Sequence, residues 1–428
     1  MCGIAGFVND MPIDVKCPVL QRMTDMIAHR GPDSEGHYID EHAALGHRRL
    51  SIIDLGGGQQ PIYNEDGSKV ITFNGEIYNY QTLREELIAA GHTFTTKSDT
   101  EVLLHGYEQW GVDLLQRVRG MFTFVIWDKN KQELFGARDH FGIKPFYYAK
   151  MNGTFMYASE IKSLLRHPDF VKELNAEALK PYMTFQYPAI GETFFKGVYK
   201  LPEGHYFTYR DGKMDIHRYY DEDFREGKQK LGELVNSIDQ TVCDSVKAHQ
   251  IADVEVGSFL SSGVDSSYVA AVARPQHTYS IGFGKGTYNE SQQAGELAEL
   301  LKLNNTAESL TDEEAFAAFP RIQWHLDEPD SNPSCVPLYF LSALAAKDVK
   351  VVLSGEGARR VVRRIHRLRR AHQIQAHQGG DSLAHASASR RAQGDRPVLQ
   401  GQDLPGRMAS VRQSCAGRGK LHRTGACV

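Results

Sequence analysis

The chain begins Met1-Cys2-Gly3-Ile4-Ala5-Gly6-Phe7, which places a thiol directly after the initiator methionine. A second residue as small as Cys2 lets that methionine be removed, so that the thiol and a free α-amine then belong to the same terminal residue. Such an amine has a reference pKa of about 7.7–8.0, low enough to act as the base for a neighbouring nucleophile. Cys2 is therefore a candidate nucleophile, but a cysteine at position 2 is by itself usually incidental, and the motifs that follow decide between the two readings.

A series of short motifs follows Cys2 in a defined order. In order and spacing the series resembles the amidotransferase domain of the N-terminal-nucleophile hydrolases, in the branch of the glutamine-hydrolysing asparagine synthetases. The resemblance covers residues 1–210 and implies a class II glutamine amidotransferase domain, an α+β sandwich with αββα layers. The motifs that carry it are His29–Asp33, Arg48–Asp54, Phe73–Asn79, Ser98–Glu101, Ala137–Asp139, Phe141–Pro145 and Ala158–Lys162.

The resemblance also implies a glutamine site whose parts suit the chemistry of that substrate. Arg49 would pair bidentately with the carboxylate, and Asp99 and Glu76 would accept hydrogen bonds from the ammonium. The Asn74 side chain and the Gly75 backbone N–H would form the oxyanion hole. Structural alternatives are a surface salt bridge for Arg49 and a helix N-cap for Asp99. The implied catalytic residues are Cys2, Asn74 and Gly75, and the implied glutamine-binding residues are Arg49, Leu50, Ser51, Ile52, Ile53, Asn74, Gly75, Glu76 and Asp99.

The order of strand and helix signals divides the chain. Residues 1–210 are rich in strand signals, residues 211–230 form a predicted linker, and from 231 to 358 strands alternate with helices, which predicts a truncated α/β parallel sheet. The predicted strands are Val70–Asn74, Met121–Trp127, Glu133–Ala137, Tyr199–Asp211, Val254–Leu260, His277–Phe283 and Val349–Leu353, and the predicted helices are Gln81–Ala90, Leu231–Ala248, Ser267–Ala273, Ser291–Leu301 and Pro337–Ala346.

A second chemical motif, residues 261–267, follows the apolar run Val254–Leu260. It reads Ser-Ser-Gly-Val-Asp-Ser-Ser and resembles the S-G-G-x-D-S pyrophosphate loop of the ATP pyrophosphatases. Backbone N–H groups and small hydroxyls at a strand-to-helix turn surround phosphates, and Asp265 would help to hold Mg²⁺. Ser262 replaces the first glycine of the family pattern, and it would be strained if that position has a positive φ.

Further synthetase residues are implied by the resemblance alone. Leu353–Ala358 matches a second ATP-contacting loop, in which Glu356 is a catalytic residue that supports formation of a β-aspartyl-adenylate. Asp327–Pro329 and Pro333-Ser334 lie where the family builds its aspartate site, without assigned roles. The implied ATP-binding residues are Phe259, Leu260, Ser261, Ser262, Gly263, Asp265, Ser266, Ile281, Ser354 and Gly355.

The resemblance stops abruptly after Ala358. The family continues G-A-D-E-L-F-G-G-Y, whereas this chain continues with an arginine-rich tail, 359–428, that contains 15 Lys+Arg against 3 Asp+Glu. One choice of codons for residues 359–373, read one base later, encodes the family continuation. We infer a frameshift after Ala358, which makes 359–428 an aberrant tail and replaces a family Mg²⁺ ligand by Arg359.

Bulk properties exclude several classes. The chain has 428 residues, 41% of them hydrophobic, which is enough for two or three domains. The six cysteines form no CxxC pair, so we expect neither a zinc site nor a disulfide framework, and a cytoplasmic location fits. No apolar run approaches the roughly 18 residues of a membrane span, and the first residues lack a signal-peptide pattern.

The resemblance implies a complete reaction. The intact family converts aspartate, glutamine and ATP, with Mg²⁺, to asparagine, glutamate, AMP and diphosphate through β-aspartyl-AMP, and it passes ammonia between two sites through an internal channel. Because the synthetase part is interrupted, we expect glutaminase activity at most. Two alternatives stay open: an acceptor other than aspartate, as in β-lactam-forming relatives, and nucleic-acid binding by the tail, which we do not favour because it lacks aromatic residues. A homodimer is left open.

Overall fold

The computed structural model describes residues 1–187, 190–223, 227, 229–283 and 290–356. The inferred frameshift and the tail 359–428 lie outside these residues. The strands are β1 (Gly3–Val8), β2 (Ser34–Ile39), β3 (Ala43–Arg49), β4 (Ile62–Tyr63), β5 (Lys69–Ile77), β6 (Gly120–Asp128), β7 (Glu133–Arg138), β8 (Tyr147–Met151), β9 (Thr154–Ala158), β10 (Val198–Lys200), β11 (His205–Arg210), β12 (Lys213–Arg218), β13 (Val256–Phe259), β14 (His277–Phe283), β15 (Asn304–Leu310) and β16 (Val351–Leu353).

The helices alternate with these strands. They are α1 (Ile13–Asp25), α2 (Tyr80–Ala89), α3 (Asp99–Trp110), α4 (Leu114–Arg117), α5 (Ile161–Leu164), α6 (Leu179–Phe185), α7 (Leu231–Ala248), α8 (Val264–Ala273), α9 (Glu290–Leu301), α10 (Asp312–Leu326) and α11 (Cys335–Ala345), with short 3-10 helices at Gly111–Asp113 and Ala176–Ala178. None of the helices in the described ranges has the length and apolarity that a bilayer crossing requires.

Two six-stranded sheets, ordered β10-β8-β9-β1-β3-β2 and β12-β11-β7-β6-β5-β4, form the first domain. Their facing sides bury one apolar cluster that includes Trp127, Phe155 and Phe207. A second cluster joins the first sheet to α1 and α5, and a third joins the other sheet to α2 and α3. Three apolar layers between four layers of secondary structure confirm the predicted αββα sandwich.

One predicted strand is wrong. Residues Tyr199–Asp211 were expected to form a single strand, but β10 ends at Lys200 and pairs with β8 in the first sheet, whereas β11 begins at His205 and pairs with β7 in the other. Pro202 has no N–H to donate to a strand ladder, and Gly204 has a φ of +66°, so the chain turns between the two sheets there. Strand β12, expected in the linker, pairs along its whole length with β11.

The second domain contains a parallel sheet of order β15-β14-β13-β16. The predicted helix Leu231–Ala248 and strand His277–Phe283 are confirmed to the residue. The helix predicted from Ser267 begins earlier, at Val264, directly after the serine-rich loop. Parallel strands in this arrangement confirm the α/β class, and they bring their carboxyl ends to one edge, where ligands bind in open sheets.

Strand β9 supplies a test of the sandwich core. Phe155 is 1% exposed and lies 5.7 Å from Phe207 and 4.4 Å from Tyr209, ring centroid to ring centroid. Phe155→Ala should lower the free energy of unfolding by about 3–5 kcal/mol, because it removes buried surface and leaves a cavity. Urea unfolding followed by circular dichroism measures the change. The control Phe141→Ala, at a side chain that is 63% exposed, should shift stability by no more than about 0.5 kcal/mol; equal losses would refute the core assignment.

Candidate functional site

Cys2 lies immediately before β1, where the backbone of Leu50 holds its thiol. The Leu50 N–H lies 3.4 Å from Sγ, and Sγ lies 3.6 Å from the Leu50 carbonyl oxygen. Arg30 Nε donates to the Cys2 carbonyl oxygen at 2.9 Å, so the nucleophile is fixed from two sides. Desolvation raises the pKa of the Cys2 thiol, and the positive N-terminal amine opposes that rise. The thiolate therefore depends on a nearby positive charge or base.

Met1 is buried beside the thiol. Its sulfur lies 2.9 Å from Lys144 Nζ and 3.8 Å from Arg30 Nη2. Both partners are cationic, and both are almost completely buried. The position that Met1 fills is therefore one that suits a polar or anionic group better than a thioether, which is only a weak acceptor.

Asn74 and Gly75 lie on β5, which runs past Cys2. Asn74 is 1% exposed, and neither its Oδ1 nor its Nδ2 has a hydrogen-bond partner among the described residues. Leaving a buried amide without a hydrogen bond costs about 1–3 kcal/mol of folding free energy. A buried amide without a partner is therefore a candidate for contact with a ligand. Gly75 is required by packing, because a Cβ there would collide with the carbonyl oxygen of Met121 and approach the Phe122 Cα to 2.7 Å.

Arg49 ends β3, and its guanidinium anchors the loop that follows. Its Nη2 donates to the carbonyl oxygens of Ile53 at 3.0 Å and Asp54 at 2.6 Å. The side chain is 5% exposed, so the surface salt bridge considered for Arg49 is excluded. A Cβ at Gly58 would lie 2.7 Å from Arg49 Nη2 and 3.3 Å from Ser98 Oγ, so the guanidinium lies close to the start of α3.

Glu76 and Asp99 form a buried pair of carboxylates. Ser98 caps α3 by accepting from the Thr100 N–H, so Asp99 is the first helical residue and the N-cap alternative is excluded. Asp99 accepts from the Ile77 N–H at 3.0 Å. Burial raises the pKa of Asp99 to about 6, and burial together with the Asp99 charge raises the pKa of Glu76 well above its usual value. Two desolvated carboxylates without a cation are costly, which makes the pair a good acceptor for an ammonium group.

Of these groups, Met1, Cys2, Asn74, Gly75 and Glu76 line one cavity of about 40 Å³ at the junction of the two domains. A water-sized molecule occupies about 10–15 Å³ on this measure, so the cavity has room for two or three. Its polar end contains Cys2, Asn74, Gly75, Glu76 and Lys144, and its other wall is formed by Ile251, Ala252, Val351, Val352 and Leu353 of the second domain.

The second domain holds the loop that follows Arg49. The Asp253 carboxylate accepts from the Asp54 N–H at 2.7 Å, and the Asp253 N–H donates to the Ile52 carbonyl oxygen at 2.9 Å. Lys350, one residue before β16, donates to Asp33 at 2.6 Å, and the same Asp33 oxygen accepts from the Ser51 N–H at 2.8 Å. Residues 51–54 are therefore positioned by both domains.

A buried network of charges crosses the same junction. Glu160, which is 1% exposed, contacts Arg30 at 2.9 Å, Lys162 at 2.6 Å and His29 at 3.1 Å. Lys162 also pairs with Asp327 of the second domain at 2.6 Å. Because Arg30 also donates to the Cys2 carbonyl oxygen, the network links the residue after α10 to the backbone of the nucleophile.

The serine-rich loop 261–263 lies between β13 and α8, at the carboxyl edge of the parallel sheet. Ser261 Oγ and Ser266 Oγ are 2.8 Å apart, and the Gly263 N–H donates to Ser261 Oγ at 3.2 Å. Ser262 is not among the non-glycine residues with positive φ, so the strain considered for it does not occur. Hydroxyls and the N-terminus of a ten-residue helix converge here, as in phosphate sites.

The loop after β16 packs against this helix terminus. A Cβ at Gly355 would overlap the backbone of Asp265 and Ser266, approaching the Asp265 carbonyl carbon to 2.6 Å, so only glycine fits. Phe259 pairs with Tyr279, and the Leu260 N–H donates to the Tyr279 carbonyl oxygen at 2.8 Å, which places Ile281 at the same edge. The ATP residues expected between 259 and 266 therefore lie together with Ile281, Ser354 and Gly355, and Glu356 follows them.

The chain was compared with known proteins. Residues 1–220 match the family described as a glutamine amidotransferase domain, and residues 237–414 match the family described as asparagine synthase. Asparagine synthetase [glutamine-hydrolyzing] 1 of Bacillus subtilis is 44% identical over 84% of this chain and 58% of its own length. Asparagine synthetases 2 and 3 of that organism are each 36% identical, over 84% and 66% of this chain and 51% and 48% of their own lengths.

The chain belongs to the glutamine-hydrolysing asparagine synthetase family. It spans about half to three-fifths of the length of these curated relatives. The amidotransferase match ends at residue 220, two residues beyond β12. The asparagine synthase match runs past Ala358 into the arginine-rich tail, whose structure lies outside the described residues. ATP use is typical of this family.

Several residues around the site of this asparagine synthetase family member were not among the expected site residues. Arg30, Asp33 and Lys144 belong to motifs of the resemblance, and that membership was the signal available for them. Asp253 and Lys350 carry no such signal, because both belong to the second domain and hold the loop 51–54 of the first domain only in the folded molecule. His249, whose ring lies 4.2 Å from that of Tyr78 at the cavity, is equally undetectable from sequence.

The carboxylate pair predicts a pH dependence for glutamine binding. As the pH falls through about 6, Asp99 takes up a proton and no longer attracts the substrate ammonium. The glutamine KM at pH 5 should therefore be about tenfold higher than at pH 7. In Asp99→Asn the KM should be high at both values. A KM that still fell about tenfold from pH 5 to pH 7 in Asp99→Asn, as in the unmodified chain, would contradict the role assigned to this carboxylate.

Proposed function

We propose that the chain hydrolyses glutamine to glutamate and ammonia at Cys2, as the front half of a glutamine-dependent asparagine synthetase. The observation that carries the proposal is the partnerless buried Asn74 amide in the cavity that also contains the Cys2 thiol. Arg49 and the loop 50–53 would hold the glutamine carboxylate, and Glu76 and Asp99 would hold its ammonium. An arrangement of this kind presents the remaining group, the side-chain amide, to the nucleophile.

The reaction needs Met1 to be removed, which frees the Cys2 amine. The thiol passes its proton to this amine, and the sulfur attacks the amide carbon of glutamine. Nδ2 of Asn74 and the N–H of Gly75 donate to the oxygen that becomes negative. When the carbon–nitrogen bond breaks, the amine returns the proton to the departing nitrogen, which leaves as ammonia. Water then cleaves the γ-glutamyl thioester to glutamate and restores the thiol.

The junction cavity supports a route for ammonia toward the second domain. Its far wall is formed by apolar residues of β16 and of the segment before β13, and it offers few groups that could protonate ammonia. Neutral ammonia is the nucleophile that a synthetase requires, and an apolar passage keeps it from becoming ammonium. The cavity ends at β16, whose following loop packs on the serine-rich loop.

The carboxyl edge of the parallel sheet suits ATP. Backbone N–H groups and the hydroxyls of Ser261 and Ser266 would hold its phosphates, and Asp265 would hold Mg²⁺. Bound there, ATP would supply activation of the aspartate carboxylate as an adenylate, with Glu356 beside it. In this chain Arg359 stands where the family pattern has an acidic Mg²⁺ ligand. We infer that the chain itself hydrolyses glutamine and makes no asparagine.

Substitution of the nucleophile and of the oxyanion donor tests the proposed hydrolysis of glutamine. Cys2→Ala should abolish glutamine hydrolysis, and Asn74→Ala should lower kcat about 10²–10³-fold with little change in KM, because the donor acts only as charge develops. Glutamate release is the readout. Cys17→Ala, at an exposed free cysteine on α1, is the matched control and should keep full activity. Hydrolysis that survives in Cys2→Ala would sink the proposal.

Isotope exchange tests the inference that the chain makes no asparagine. Aspartate-dependent exchange between labelled pyrophosphate and ATP should stay at background, because the positively charged Arg359 replaces an acidic Mg²⁺ ligand of the family pattern. Exchange above background would overturn the inference about asparagine synthesis while leaving glutamine hydrolysis untouched. Sequencing of the DNA around codon 358 provides the independent check on the frameshift.

A further inference from the structure

Four side chains outside the glutamine site converge on one point of the first domain. They are Glu65, in the turn between β4 and β5; His92, between α2 and α3; and His105 and Glu108, on α3. Each offers one ligand atom, and these atoms all lie within 4.8 Å of one another. None of the four is among the residues assigned to the amidotransferase reaction or to the ATP edge.

Three distances between neighbouring groups are close to the edge of a small tetrahedron, and Glu65 offers a different oxygen to each histidine. His105 Nδ1 lies 3.2 Å from Glu65 Oε2 and 3.2 Å from Glu108 Oε2, and His92 Nδ1 lies 3.0 Å from Glu65 Oε1. Four ligands about 2.0–2.1 Å from a central zinc ion are separated by about 3.3–3.4 Å. A small inward or outward shift of each side chain would therefore complete the coordination.

Three of the ligands share a hydrogen bond with a further polar group, and His105 Nε2 has a carboxylate nearby without a hydrogen bond to it. His105 Nε2 lies 3.5 Å from Glu101, His92 Nε2 lies 3.3 Å from Gln109, and Asn64 Nδ2 donates to Glu108 at 2.7 Å. The Thr93 N–H donates to Glu65 at 3.1 Å. A histidine that turns one nitrogen to the ligand point and the other to a carboxylate is the usual arrangement around protein-bound zinc.

Burial and charge favour a divalent cation. The His105 side chain is 1% exposed, whereas Glu65 is 36% exposed, so the site has a rigid floor and an open entrance. Burial opposes the protonated form of His105, but interactions with the carboxylates of Glu101 and Glu108 raise its pKa to about 9, so zinc displaces a proton when it binds. Once both imidazoles are neutral, the carboxylates of Glu65, Glu101 and Glu108 and the ammonium of Lys69, 3.3 Å from Glu108, leave two negative charges. One divalent ion neutralises them, and two imidazoles favour zinc over magnesium or calcium.

We propose that Glu65, His92, His105 and Glu108 bind one Zn²⁺ ion in a four-coordinate structural site. The ion would join three segments that also carry the glutamine site. The turn at Glu65 leads into β5 with Asn74 and Gly75, the loop at His92 leads to Ser98, and α3 begins with Asp99. Zinc at this position stabilises the fold of the amidotransferase domain from outside the reaction centre.

Metal titration of the full chain tests the proposal. The protein is stripped with a chelator and titrated with Zn²⁺ alone by calorimetry, and with Co²⁺ by visible absorption. One equivalent should bind, Tm should rise with Zn²⁺ concentration, and the cobalt spectrum should show the intense bands of a tetrahedral site. Zinc that binds at the Cys2 thiol instead would be recognised because it disappears in Cys2→Ala, whereas the proposed site persists there.

Variants at the ligands provide the decisive comparison. His105→Gln should weaken zinc binding at least about 100-fold, and His92→Gln, at a partly exposed position less prone to misfolding, should weaken it at least about tenfold. His42→Gln, a partly exposed histidine that pairs with Asp10 at 3.7 Å, is the matched control and should bind zinc like the unmodified chain. Absence of a bound equivalent, or binding that persists in both ligand variants, would show that the cluster is only a network of ion pairs.

Discussion

The carboxylate of Glu160 is the constraint on which the arrangement of the two domains depends. A carboxylate with 1% exposure is tolerated only if cations and hydrogen bonds replace its water. Arg30, Lys162 and His29 do so, and each has a second task. Arg30 holds the Cys2 carbonyl oxygen, and Lys162 pairs with Asp327 of the second domain. The charge balance of one buried group thus fixes both the nucleophile and the domain junction.

The loop 51–54, which follows Arg49, shows the same dependence on two domains. Its backbone is held by Arg49 from the first domain and by Asp253 from the second. Asp33 accepts from the loop and from Lys350 with a single oxygen. A shift of the second domain would therefore displace the backbone that contacts the Cys2 thiol.

Three buried polar groups near Cys2 are poorly satisfied by the protein itself. Glu76 and Asp99 have raised pKa values because burial removes water, an effect that Lys144 and the N-terminus only partly offset at Glu76, and Asn74 has no hydrogen-bond partner among the described residues. A substrate that brings an ammonium and a developing oxyanion would satisfy all three groups together. Binding energy of this kind is directed at the groups that position the reacting amide, which is where it assists the chemistry.

The sequence by itself determined the αββα and α/β classes and five of the eleven helices in the described part of the chain. These depend on local periodicity and on motifs that act through neighbouring residues, as the exact limits of α7 and β14 show. It could not place the division of residues 199–211 between two sheets, because both halves read as strand and only packing assigns each to its partner.

Tertiary structure alone decided which distant residues meet. Asp253 contacts the loop at Ile52, and His92 meets Glu65 and His105, although none of these pairs has a recognisable spacing. It also decided that Ser262 is unstrained, since a backbone torsion at a loop follows from how β13 and α8 are held. Such contacts join residues far apart in the chain, and their energy comes from burial and charge compensation that only the packed molecule provides.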